Sequence, residues 1–236
     1  MALPKLNTPT YEVALPSTSE IIKYRPFLVK EQKLLMMAQE SKEQTNISET
    51  MSNVISSCTF NNINPNQIPL FDIEYIFLKI RSKSVGETQE IRVLCPDDGE
   101  TYGNVTLNLD EIEVQMTEGH TNEINLTDKI KIIMKYPQLK DMRGLDSIDT
   151  VQTEQIFSIM KYCIWEVHDG DKVYNRVDIS DKDIEEFIDS FDNQQLESIL
   201  NFFQTMPKIR HPVKVINPKT KVESELVLEG LESFLE

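Results

Sequence analysis

Three histidines, His120, His168 and His211, and three cysteines, Cys58, Cys95 and Cys163, are the residues of this chain best suited to acid–base, nucleophilic or metal chemistry. Their spacing does not organise them for it. None sits in an HExxH, HxH or Cys–His arrangement. Neither nucleotide fingerprint, GxxxxGK[ST] or GxGxxG, is present, and there is no GxSxG nucleophile elbow. Asp169-Gly170-Asp171 carries the acids of a calcium loop, but the glycine falls too early and the ligand series breaks at Val173, so it reads as a turn. The acid pairs Asp97–Asp98 and Glu185–Glu186 read as solvated faces rather than general acids and bases. The expectation is a non-enzyme with no catalytic residue and no cofactor.

Two short stretches come closer to metal chemistry. Cys95-Pro96-Asp97-Asp98-Gly99 has the outline of a zinc knuckle, C-P-x-C-G, in which two thiolates grip one metal from a tight turn. The second thiolate position is held by Asp98. Asn217-Pro218-Lys219-Thr220 repeats the outline with no cysteine. A single thiolate cannot hold structural zinc tetrahedrally, so both stretches are expected to be metal-free β-turns, where Pro, Gly and Asn are at home.

The elements that would carry these residues follow from periodicity. Residues 11–15 and 21–24 read as a hairpin around Pro16-Ser17-Thr18-Ser19. Residues 29–45 read as a helix with Leu34, Leu35, Met37 and Ala38 as its apolar stripe, broken at Asn46-Ile47-Ser48 before a second helix over 48–57. The clearest helix lies over 69–81, where Leu70, Ile73, Phe77 and Ile80 recur at helical spacing and Pro69 suits the first turn. Residues 88–136 turn β-rich, with strands at 91–94, 102–109, 112–116 and 129–134. A short helix is expected over 137–145 and a longer one over 150–167. Helices opened by Ser180 and running over 193–206 come next, the second stopped by Pro207. Strands at 213–216 and 222–226 flank the second knuckle-like turn, and 228–236 reads as a final helix on Leu228, Leu231 and Leu235. The fold class expected is α+β, mostly helical, with small β-hairpins and an N-terminal hairpin. Residues 1–236 are expected to form a single domain with subregions 1–84, 85–136 and 137–236.

Composition narrows the partners. Lys and Arg total 24 against 39 Asp and Glu, a formal charge of -15. Such a surface repels phosphate backbones, which argues against nucleic acid, and steers the chain toward basic protein surfaces. The odd number of widely spaced cysteines suggests no disulfide framework and suits a reducing cytoplasm. The start lacks a basic region followed by an apolar run, and no stretch of about 18 apolar residues could span a bilayer.

Three segments are recognisable. Asn7-Thr8-Pro9-Thr10-Tyr11, Leu15-Pro16-Ser17-Thr18 and Tyr24-Arg25-Pro26-Phe27-Leu28-Val29-Lys30-Glu31 resemble the start of the baseplate hub proteins of T-even-like contractile-tailed bacteriophages. Residues 71–84 resemble that family's central helix, and residues 206–211 with 228–231 are similar to its end. The resemblance implies a baseplate hub assembly factor or hub subunit that works by protein–protein binding. Its partners would be other baseplate or tail proteins, met in the host cytoplasm during assembly and, for a retained subunit, in the virion tail. It also implies CxxC at the two knuckle-like turns, from which this chain departs at Asp98, Asn217 and Thr220. A cytoplasmic adaptor outside tail assembly, or an enzyme whose site forms only on folding, are the alternatives. Arg and aromatic residues anchor interfaces, so Arg25, Pro26, Phe27, the exposed side of the helix around Arg81, and Leu231 and Phe234 of the final helix are the candidate contacts. Elemental analysis of the purified chain should find no stoichiometric zinc; one zinc per chain would overturn the reading of Cys95 and Asp98.

Overall fold

The computed structural model describes residues 6–41, 44–142 and 153–234. These residues form six α-helices, eleven β-strands and three 3-10 turns, divided between two compact units. The first unit comprises residues 1–115 and 208–236, the second residues 116–207. The second is an insertion: the chain leaves the first unit after Gln115 and re-enters at Lys208, and those two residues are paired partners on adjacent strands.

In the first unit, β1 (Tyr11–Ala14) and β2 (Ile21–Tyr24) form the expected hairpin, with Tyr11 opposite Tyr24. Helices α1 (Val29–Ser41) and α2 (Gln44–Cys58) come next. Helix α2 runs through residues 46–48, where the sequence pattern predicts a break. Helix α3 (Leu70–Val85) is the centre of the unit: nine of its sixteen residues are buried, and only Val85 is exposed. A helix that is apolar on nearly every side has to be enclosed. Ile73, Ile76, Leu78 and Ile80 pack with Val54 and Ile55 of α2 and with Leu107, Leu109 and Ile112. The next elements are β3 (Thr88–Leu94), β4 (Tyr102–Asn108) and β5 (Glu113–Gln115), all on segments that read as strands.

The second unit is built on β6 (Glu123–Asn125), β7 (Ile130–Met134), α4 (Thr153–Cys163), β8 (Ile164–Asp169), β9 (Lys172–Asn175), α5 (Asp181–Asp189) and α6 (Asn193–Thr205). Its four strands form one sheet in sequence order. Ile132 and Met134 pack with Met160, Cys163, Ile184, Ile199 and Phe202 in its core. Ser180 caps α5 by accepting the Asp183 N–H, and Asp192 with Gln195 forms a full capping box at α6.

The chain then returns to the first unit as β10 (Lys208–Ile216) and β11 (Glu223–Glu229), which complete the sheet β11-β10-β5. All strand pairs are antiparallel and fall in four sheets. This corrects the expectation of a mostly helical chain: the fold is mixed α+β, with sheet in both units. Three segments account for the difference. Residues 164–167 continue the helical spacing of Ile159, Met160 and Cys163, yet they pair with β7 and begin β8. Pairing decides the conformation of an apolar run that suits either state. The hairpin β8–β9 turns at Gly170, whose φ of 57° at the first position of a two-residue loop is what a type II′ turn demands. At the end, Leu228 belongs to β11, and Gly230, at φ 75°, is succeeded by a single 3-10 turn over Leu231–Phe234. Residues 143–152, and Leu235 of the expected final helix, lie outside the described residues.

Hairpins β3–β4 and β10–β11 meet at Gly103. A Cβ there would lie 2.3 Å from Val215 Cγ2 and 3.2 Å from the Ile216 carbonyl oxygen, so only glycine allows the two backbones this approach. Gly103→Ala should lower the unfolding free energy by roughly 1–3 kcal/mol in a urea melt, the range for overpacking a well-filled interior. A stability equal to that of the parent chain would show that the hairpins can separate without loss.

Candidate functional site

The segment Arg25-Pro26-Phe27, expected to be a contact, lies at a largely buried joint. Arg25 lies at 9% exposure, and its guanidinium donates to Glu31 Oε1 at 2.8 Å, Ser57 Oγ at 3.0 Å and the Pro26 carbonyl at 2.9 Å. Ser57 Oγ donates to the same Glu31 oxygen at 2.8 Å, and the Leu28 N–H donates to Glu31 Oε2 at 2.9 Å. Glu31 therefore closes the first turn of α1 from its third position and fixes that turn to the end of α2 through Arg25. The Arg25 N–H donates to the Cys58 carbonyl at 2.9 Å. Burial alone would raise the Glu31 pKa; the bonds from Arg25, the Leu28 N–H and Ser57 outweigh it and bring the carboxyl down to about 2.

The other candidates divide between interior and surface. Pro26 is buried, and Phe27 is half-buried against the core, its N–H held by Ser84 Oγ at 2.9 Å. Leu231 and Phe234 are buried at 5% and 0% exposure, so they complete the core of the first unit. Arg81 differs. It is partly buried on α3, and among the described residues its guanidinium has no hydrogen bond, ion pair or ring contact. Burial pulls its pKa down with no anion to offset the desolvation. Arg81 stands one turn before Ser84, the residue that holds Phe27, and shares a helical face with exposed Val85.

Next to that joint, α1 offers a surface that the sequence pattern alone does not single out. The helix packs inward through Glu31, half-buried Leu35 and Ala38. Its outer side leaves Val29 80%, Leu34 49%, Met36 56% and Met37 56% exposed. The stripe read from Leu34, Leu35, Met37 and Ala38 is therefore split, half facing in and half facing out. Lys30 and Lys33 lie among the exposed residues, giving a basic, apolar patch on a chain of charge -15. The signal lies in the composition of α1, which has more apolar residues than one buried stripe can use.

The residues suited to chemistry are not assembled for it. His120 lies in the second unit, where Thr205 Oγ1 donates to the Asn201 carbonyl and accepts from His120 Nδ1 at 2.9 Å, leaving Nε2 to accept the Tyr136 hydroxyl at 3.1 Å. His168 pairs with its neighbour Glu166 at 2.8 Å, and His211 lies on β10 opposite Leu228. All three cysteines are buried and unpaired, and burial pushes the Cys58 thiol up to about 11. Among the described residues, no group of three or more His, Cys, Asp and Glu is placed to hold a metal ion.

The two knuckle-like turns do meet. Asn217 Nδ2 donates to Asp97 Oδ1 at 2.9 Å and Thr220 Oγ1 donates to Asp97 Oδ2 at 2.5 Å. Their side chains do not fit zinc: one buried thiol, two neutral groups, and an Asp98 carboxylate already taken up by its own turn, where it accepts the Thr101 hydroxyl and the Thr101 and Glu100 N–H groups. No helix among the described residues is long and apolar enough to cross a membrane.

Residues 8–236 match the family model described as T4 bacteriophage base plate protein. No curated protein matches the chain, and no solved structure does.

The Arg25 joint yields an expected outcome. Arg25→Ala strands the buried Glu31 carboxylate and should lower stability by about 3–5 kcal/mol. Glu31, with its carboxyl held at about 2, adds stability that is complete above the ordinary carboxylate range and lost as the pH falls from about 4.5 toward 2. Urea melts at neutral pH and near pH 3 should show Arg25→Ala losing less on acidification than the parent chain. An equal acid loss in both would remove Glu31 as the cause.

Proposed function

We propose, from the premise that the chain belongs to the T4 bacteriophage base plate protein family, that it acts in the baseplate hub as an assembly factor or subunit by binding other tail proteins. Membership itself gives the chain a structural or assembly role in the phage baseplate and makes it a component of the tail. The hub assignment rests on the likeness of residues 7–11, 15–18, 24–31, 71–84, 206–211 and 228–231 to hub proteins. Binding would begin in the host cytoplasm while tails are being built.

The observation that carries the binding reading is Arg81. A partly desolvated guanidinium without an anion is unfavourable in the free chain and becomes favourable once a partner supplies a carboxylate. The uncovered Val29, Leu34, Met36 and Met37, with Lys30 and Lys33 among them, offer a partner a further apolar and basic surface. The partner is therefore another baseplate protein that presents an acidic side chain within an apolar patch. Phe27, half-buried at the joint, would set the edge of this surface rather than its centre.

The test is affinity capture of the tagged chain from cells producing phage tails, with the captured baseplate protein then titrated against purified variants. Among the described residues Arg81 has no hydrogen-bond or ion-pair partner to lose, so Arg81→Ala should melt close to the parent chain. It should weaken binding by about 2 kcal/mol, on the order of thirtyfold. Met36→Ser with Met37→Ser should weaken binding in the same direction. Undiminished capture by these stable variants would refute the surface, and capture of no tail protein by the parent chain would refute the binding role.

A further inference from the structure

The turns at the tips of the β3–β4 and β10–β11 hairpins are built alike over their first five residues. In each, the fifth N–H returns to the first carbonyl: Gly99 to Cys95 at 3.0 Å, Lys221 to Asn217 at 2.9 Å. In each, the fifth residue is left-handed, Gly99 at φ 65° and Lys221 at φ 64°. The first N–H closes each hairpin from inside, Cys95 onto Thr101 at 2.8 Å and Asn217 onto Val222 at 3.0 Å, the first turn being one residue longer. A lysine held at positive φ is strained, and the local bonds from the Lys219 and Thr220 N–H groups to Asn217 Oδ1 help to hold it there. The first and fourth residues of such a turn are the positions from which a C-x-x-C pair holds one metal. Here they are Cys95 and Asp98, and Asn217 and Thr220.

The two tips face each other. Asp97 takes the Asn217 amide through one oxygen and the Thr220 hydroxyl through the other, across more than a hundred residues of chain. Asn217 Oδ1 meanwhile accepts the Lys219 N–H at 2.8 Å and the Thr220 N–H at 3.2 Å, so the amide occupies the place from which a sulfur would receive those donors. Beneath the tips, the close approach at Gly103 brings Cys95 Sγ to within 3.3 Å of where a Cβ on that glycine would stand, beside Val215 and Ile216. The frame of a two-knuckle metal centre is thus complete, although its ligands are not.

We infer that the paired turns are such a frame with the ion replaced by a carboxylate brace, Asp97 to Asn217 and Thr220, and that Cys95, Asp98, Asn217 and Thr220 mark a latent tetrahedral site. The brace does the mechanical work of a metal: it fixes the tip of β10–β11 to the tip of β3–β4.

Two measurements test this. In the full chain, Asp98→Cys, Asn217→Cys and Thr220→Cys together supply three thiolates beside Cys95. This variant should bind one cobalt(II) per chain with the absorption of a tetrahedral thiolate site, released by zinc, whereas the parent chain shows none. A variant that folds without that absorption overturns the latent site, as does one that zinc fails to fold. The brace is tested separately in the parent background. Asp97→Ala and Thr220→Val should each lower the melting temperature by about 2–4 °C, and the double variant should fall no further than Asp97→Ala alone. Additive losses would overturn the brace, because independent residues add and partners do not.

Discussion

The first unit depends on the enclosure of α3 and on the polar groups enclosed with it. Asp72, Lys79 and Ser82 are all buried on this helix, and a buried charge without partners is prohibitive. Their side-chain hydrogen bonds all come from outside the helix; within it, only the Tyr75 ring answers Lys79. Asp72 takes both the N–H and the hydroxyl of Ser17 at the tip of the first hairpin. Lys79 is held by two carbonyls, those of Asp110 at 2.6 Å and Ile112 at 3.1 Å, and Ser82 donates to the Asp110 carboxylate at 2.5 Å. Neither Asp72 nor Lys79 meets a counter-ion in these bonds. Burial accordingly raises the one pKa and lowers the other. A set of fixed dipoles from segments far away in sequence makes their burial tolerable, so α3 can be enclosed only if the hairpin tip and the β4–β5 loop arrive in one register.

The same logic explains why Arg25-Pro26-Phe27 is a joint. The segment leaves β2, passes the end of α2 and must start α1. Three backbone or side-chain donors converge on Glu31 to make that start, and Ser84 on α3 takes the N–H of Phe27. Arginine and phenylalanine beside a proline are the types found at interfaces and equally the types found at crowded internal corners. Residue type alone does not separate the two. The separating fact is the presence of Glu31 six residues on, in reach only after α1 has turned.

Much of the fold was legible because it is local. The hairpin at residues 11–24, the helix on Leu70, Ile73, Phe77 and Ile80, and the alternation of Ile130, Ile132 and Met134 are each set by periodicity and turn chemistry, and each is present. The rest is decided by pairing at a distance. Residues 164–167 suit a helix until β7 is available, and the division of the chain at residues 115 and 208 exists only once β5 and β10 are partners. The surface was the least legible part. Leu34, Leu35, Met37 and Ala38 make one stripe on a helical wheel, and only the position of α2 decides which half is covered. Arg81 could not be singled out for the right reason, since the absence of a partner is a property of the folded surroundings.

Interior and surface make opposite uses of charge in this chain. Inside, buried Glu31 and partly buried Asp110 each gather several donors and so turn a liability into a fixed point between elements. Outside, most of the excess negative charge keeps the surface hydrated and repels like surfaces. The outer side of α1 and the guanidinium of Arg81 fit neither pattern. The first combines uncovered apolar area with basic side chains and the second is a partly desolvated cation, and each is unfavourable in the isolated chain for a different reason. A carboxylate on another protein would relieve the guanidinium and an apolar partner surface would relieve α1, so both features are of the kind that a protein contact removes.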